Sequence, residues 1–288
     1  MSILSVHFGP FSLSFASPSS NIDEYLRNFF SGYECDRSPD FLVTIRLSDE
    51  LPPPVVQPRQ RWLSLALNKK GFEIGPDLIR GSTNSRHDEC TIQVHENFFQ
   101  LPLLEVFQGF LFRLYYTICM ARSVQSCFVH GCGVIKEKTG YLFIGGHQAG
   151  KTTIGKSSGG LVIHDDQIIV SFDETGCSMD SPPLPGKLRH HPDRAVLIDR
   201  MYLIVQDTQV SVKQLQPALA LKSLYAEIVS PLTLFSNDEI NARILKAKSC
   251  FEILNRLPVF ELHFDKKGYF WDSLAQLQPS GGGWSGGI

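Results

Sequence analysis

Residues 145–166 read GGHQAGKTTIGKSSGGLVIHDD. The first eight fit the pattern G-x-x-x-x-G-K-[ST], with Gly145, Gly150, Lys151 and Thr152 at its fixed positions. Such a loop needs glycines because several backbone N–H groups must converge on phosphate oxygens, and a Cβ would obstruct them. In that pattern the lysine, here Lys151, is expected to reach the β- and γ-phosphates, and the next hydroxyl, here Thr152, to ligate magnesium. The apolar run YLFIG before the loop reads as a strand, and the residues after Lys151 as a short helix that stops at Ser158-Gly159-Gly160. The acidic pair Asp165–Asp166 follows only fourteen residues after Lys151. One carboxylate there can bind magnesium, and the other can take the proton of an attacking hydroxyl.

The surrounding sequence sets limits on what such a loop serves. The chain has 288 residues, 43% of them apolar and 19% charged, which suits an ordinary globular protein with a buried core. A net charge of −2 implies no strongly basic face, so nucleic-acid binding is not expected. Seven scattered cysteines with no C-x-x-C pair argue against a disulfide framework and a structural zinc site. The opening MSILSVHFGPFSLSF lacks a basic n-region, so a signal peptide is not expected. The apolar stretch Leu101–Met120 contains Glu105, Gln108 and Arg113, and Leu104, Phe107, Leu111, Leu114 and Ile118 fall at helical spacing. That pattern predicts a buried helix over 103–123 rather than membrane insertion, and a cytoplasmic protein.

Along the chain, residues 1–125 read as a strand-rich N-terminal module. Strands are predicted over 7–17, 40–48, 61–75 and 91–101, with a helix over 21–30 capped by Ser20 or Asn21. The Pro-rich segment 51–60 reads as a connecting loop. A second unit spans 126–278. Strands 127–135 and 140–144 lead into the glycine loop, and 161–174 reads as a strand pair or one bent strand with the acids in its middle. PPLPG (182–186) is a turn carrying Lys187 and Arg189 just after it. Strand patterns at 195–213, helices near 215–229 and 237–256, a strand at 258–264 and a helix at 268–277 complete it. The Gly-rich tail 279–288 reads as disordered. His164 is expected to point away from Asp165, and Cys132 has no neighbour that would activate its thiol.

These pieces resemble a family. His130-Gly131, a strand–turn–strand, the glycine loop, a short helix and an apolar run ending in Asp-Asp look like the catalytic domain of HPr kinase/phosphorylase. The whole chain resembles HPr-kinase-related proteins of about this length, through Gly9-Pro10-Phe11, the helix Leu103–Arg122, and PVFELHF followed by GYFWDSL. The resemblance implies an α/β (α+β) fold of the phosphoenolpyruvate-carboxykinase-like P-loop type, on a mixed sheet. It also implies ATP and Mg²⁺, and phosphoryl transfer to a serine of a peptide or protein. Gly145, Gly146, His147, Gln148, Ala149, Gly150, Lys151, Thr152 and Thr153 would then bind the nucleotide. Asp165 would be the base, Thr152 and Asp166 would stand at magnesium, and His130 would lie near the γ-phosphate alongside Lys151. Lys187 or Arg189 would neutralise transferred charge, and a homo-oligomer is compatible. The loop interior His147-Gln148-Ala149 lacks the small Ser-Gly middle common in that family. Two other readings are a non-catalytic nucleotide-binding scaffold or switch, and a kinase of a small hydroxyl metabolite.

Overall fold

A computed structural model describes residues 2–51, 65–68, 71–74, 78–84, 86, 88–100, 104–190, 195–229, 239–265 and 267–276. Its first element corrects the expected single strand over 7–17. Strands β1 (Ser2–Phe8) and β2 (Phe11–Ser17) form an antiparallel hairpin in which Phe8 faces Phe11. Gly9 takes φ +62, the first central position of a two-residue reversal where glycine carries no steric penalty, and Pro10 completes it. Helix α1 (Ser20–Phe29) starts one residue before the expected span, because the hydroxyl of Ser19 accepts from Ile22 N.

β3 (Phe41–Leu47) runs parallel to β2 and to β7 (Glu89–Val94). The expected strand over 61–75 is instead the antiparallel pair β4 (Leu65–Asn68) and β5 (Gly71–Ile74), with 61–64, 69–70 and 75 outside the described residues. Strand β6 (Ile79–Thr83) joins β5 to β7, completing a seven-stranded mixed sheet in the order β1-β2-β3-β7-β6-β5-β4. The strand expected over 91–101 stops at Val94. There Asn97 N donates to His95 Nδ1, which takes that amide off the ladder, and Phe98–Gln100 forms a 3₁₀ turn. The segment 52–60 and the tail 279–288 lie outside the described residues.

Helix α2 (Leu104–Ala121) buries Phe107, Phe110, Leu111, Tyr115 and Ile118 completely. No described helix is long and apolar enough to cross a membrane. The core around α2 continues into the second sheet. Phe8 and Tyr115 pack on Phe128 at ring-centroid distances of 6.1 and 4.9 Å, and Tyr115 and Ser126 share a 2.7 Å hydrogen bond.

The spine of the second sheet is β8 (Ser126–Lys136). Its register explains the site. β10 (Leu161–His164) and β11 (Gln167–Asp173) run antiparallel along one edge of β8, from Leu161 opposite Ile135 to Ser171 opposite Ser126. They form one bent strand, with a register shift between Val162 and His164 and an interruption at Asp165–Asp166. β9 (Thr139–Ile144) lies on the other edge, followed by β14 (Arg200–Gln206) and β17 (Val259–Phe264), all three mutually parallel. β12 (Gly176–Asp180), β13 (Val196–Leu197) and β15 (Ser211–Gln214) finish the order β13-β12-β11-β8-β9-β14-β17-β15. The two-residue β16 (Ile228–Val229) extends the β9 edge by pairing with Val129 and Phe128.

β9 and β14 send alternate residues into two cores. Leu142, Ile144, Met201 and Leu203 pack with Leu224 of α4 (Pro217–Glu227) and with Cys250 and Ile253 of α5 (Glu239–Arg256). Tyr141, Phe143, Tyr202 and Ile204 face Ile154 of α3 (Lys151–Ser157) and Phe270 and Trp271 of α6 (Phe270–Gln276). Burial on both faces is what near-continuous apolar strands such as YLFI and MYLIV require. The molecule is α+β with two mixed sheets.

Candidate functional site

The glycine loop leaves the C-terminal end of β9 at the centre of the sheet. Gly145 N donates to His130 O at 3.2 Å, and Gly131 N donates to Asp166 O at 3.0 Å. The His-Gly of β8, the start of the loop and the acidic break therefore meet at one point. Two glycines are sterically required. A Cβ on Gly145 would stand 2.8 Å from Ala149 Cβ and from Ile204 Cγ1. Gly150 has φ +106, and a Cβ there would stand 2.5 Å from Phe264 Cζ. Gln148 also has a positive φ, +63.

Lys151 is 7% exposed. Its ammonium donates to Gly145 O and Gly146 O, both at 2.8 Å, and lies 4.0 Å from Asp166 Oδ1. Thr152 Oγ1 donates to Asp165 Oδ2 at 2.6 Å. The other Asp165 oxygen accepts from Lys187 N at 3.0 Å and Leu188 N at 3.1 Å. Asp165 is thus buried with both oxygens engaged, whereas the Asp166 side chain is 54% exposed.

A cleft of about 730 Å³ opens here, lined by His147 to Thr153, both aspartates, Pro185 to Lys187 and Gln206. Of the nucleotide-binding residues expected from the sequence, Gly145 and Gly146 do not line it but anchor Lys151 through their carbonyls. His130 does not line it either. Its Nδ1 lies 3.5 Å from Glu227 Oε2. Glu227 ends α4 immediately before β16, whose pairing of Ile228 with Val129 sets Glu227 opposite His130. The same carboxylate stands 3.3 Å from where a Cβ on Gly146 would be.

The two cations after PPLPG are placed differently. Lys187 lines the cleft, while the Arg189 guanidinium stacks over the Tyr33 ring, 5.7 Å from its centroid. His164 is fully buried. Its Nδ1 accepts from Asp166 N and Gln167 N, so Nε2 carries the proton and donates to Leu184 O at 3.1 Å. Burial pushes its pKa down, favouring this neutral form. The ring satisfies the amides freed where the strand breaks, so it holds the acidic turn open. Burial first, and the Asp165 charge second, push the Cys132 thiol up, in keeping with an inert side chain.

Three residues that position the site escaped sequence reading: Glu227, Gln206 and His164. Glu227 and Gln206 are brought in by strand register over long separations, and neither sits at motif spacing. For His164 the signal was an apolar run ending in His-Asp-Asp.

The residues fit a magnesium nucleotide. The Thr152 hydroxyl bonded to the Asp165 carboxylate, with Asp166 lining the same cleft, is a hard oxygen donor set. Among the described residues no three His, Cys, Asp or Glu side chains converge on one point as a metal cage. No family model matches the chain, and no curated protein matches it.

Proposed function

We propose that the chain is an ATP- and magnesium-dependent phosphotransferase of the HPr-kinase-related type, with a P-loop kinase fold, acting on a serine hydroxyl of a peptide or protein. The observation that carries this reading is the 2.6 Å bond from Thr152 Oγ1 to Asp165 Oδ2, in a cleft that also holds Lys151 and Asp166. A glycine loop alone would support only phosphate binding. A loop hydroxyl bonded to a buried carboxylate, with a second, exposed carboxylate beside the lysine, supports metal-assisted phosphoryl transfer.

When bound, magnesium ATP supplies a γ-phosphoryl group whose charge is already partly neutralised. Lys151, and Lys187 across the cleft, are the cations for phosphate oxygens. Thr152 can give a lone pair to a metal only while its proton goes elsewhere, and Asp165 accepts that proton bond. With both oxygens engaged, Asp165 suits the metal side. Asp166 is exposed beside Lys151 and suits the base that takes the proton of the acceptor hydroxyl. This exchanges the two roles that the sequence resemblance implies. His130 stands at the loop entrance, oriented by Glu227.

The test is incubation of the protein with γ-labelled ATP, magnesium and an extract containing candidate acceptors. The expected result is label on serine of a macromolecule, lost in Asp166→Asn while ATP affinity stays within about threefold. Full transfer by Asp166→Asn would return the base to Asp165. A second reading, a non-catalytic nucleotide switch, is favoured by one observation: Lys151 and Asp165 are satisfied by the protein's own backbone. Tight ATP binding with no labelled acceptor, whether protein or small hydroxyl compound, would select it.

A further inference from the structure

Gln148 occupies the interior of the phosphate loop with φ +63. Glycine adopts that conformation without cost, and asparagine or aspartate tolerate it through local side-chain bonds, but glutamine has neither advantage. Something must hold it there. The partner lies on a different strand. β14 runs parallel to β9 with Leu203 opposite Ile144, so its C-terminal end rises beside the loop. Gln206, its last residue, donates from Nε2 to Gln148 O at 2.8 Å. One strand further, Phe264 is paired in register with Gln206 and packs against Gly150. The two left-handed residues of the loop are therefore braced from below by the ends of β14 and β17.

We infer that Gln206 is a positioning residue, whose side-chain amide holds the Gln148 peptide in the left-handed conformation and so keeps the loop shaped for phosphate. The inference rests on the proposed nucleotide reading of this cleft. It also explains how a His-Gln-Ala interior does the work of a small, glycine-containing one: the missing conformational freedom is replaced by an outside hydrogen bond. Gln206 lines the same cleft, so direct contact with the ligand is the competing role.

A double-mutant cycle separates these, because glycine at 148 makes the brace unnecessary. Magnesium ATP is titrated calorimetrically into the wild type, Gln206→Leu, Gln148→Gly and the double variant. Gln206→Leu is expected to weaken binding by about threefold to tenfold, the scale of one such hydrogen bond. In the Gln148→Gly background the same step is expected to cost less than about twofold. An equal loss in both backgrounds, or no loss in the first, overturns the inference.

Hydrogen exchange on the ligand-free protein gives a readout independent of nucleotide. Ala149 N donates to Gly146 O across the loop, and its protection is expected to fall on Gln206→Leu. Unchanged protection there overturns the inference, even if the wild type binds no ATP and the proposed function fails.

Discussion

Gly186 packs so closely that an added methyl would stand 2.7 Å from His164 Cε1 and Nε2, and 3.2 Å from Asp165 Oδ1. His164 is pinned by three hydrogen bonds and cannot yield. Gly186→Ala is therefore expected to destabilise the fold by about 1–3 kcal/mol in urea unfolding, and to weaken ATP binding by displacing the amides on Asp165. A second residue sets a pH dependence away from the cleft. Hydrogen bonds from His263 to Asp207, then to Glu261, hold its pKa above the ordinary 6.5. Its stabilising contribution is complete below pH 6.5 and is lost as pH rises through the raised value. Proton NMR is expected to place its titration above 6.5 and to find it lowered in Asp207→Asn; an unmoved titration would show that Asp207 does not set it. At this scale the sequence disclosed Lys151, Thr152 and the aspartates, because a motif fixes their spacing. It hid Gln206 and Glu227, because only strand register brings them to the loop.

Among the elements, the edge around the acids was legible as a strand pair or one bent strand; the register shift between Val162 and His164 was not, because nothing in an apolar run marks a bulge. The segment after β12 was legible only as a turn. In the structure, residues 181–190 form a strap whose two ends share one acceptor. Ser181 Oγ and His190 N both donate to Ile163 O. Its middle is held by His164 and Asp165. The N-terminal sheet reaches it through Tyr33, whose hydroxyl makes a buried 2.5 Å hydrogen bond with Ser181 Oγ. Tyr33→Phe is expected to cost about 1–2 kcal/mol in equilibrium unfolding, and to raise hydrogen exchange at Lys187 N and Leu188 N. Unaltered exchange there would mean that the strap is held without Tyr33. The strand pairs on either side of Gly9–Pro10 and within 65–74 were misread as single strands, because alternation on both sides of a reversal marks no boundary by itself.

For the whole molecule, the sequence separates 1–125 from 126–278 by content. One apolar core nevertheless joins β1, β2 and α2 to Phe128, Ile169 and Leu184 of the second part. Calorimetry is expected to give a single unfolding transition with equal van't Hoff and calorimetric enthalpies. Two separated transitions would contradict a shared core. That coupling sets the cleft, whose strap rests on Tyr33, within a frame built from both sheets.

The most direct test of the site's chemistry is ATP binding measured with and without magnesium, in the wild type and in Thr152→Val. Thr152 joins the loop to the acidic break and is where the proposal places magnesium, so the metal is expected to tighten binding by at least about tenfold in the wild type and by less than about twofold in the variant. Binding that ignores magnesium in the wild type, or that keeps its full magnesium dependence without the Thr152 hydroxyl, would contradict the account.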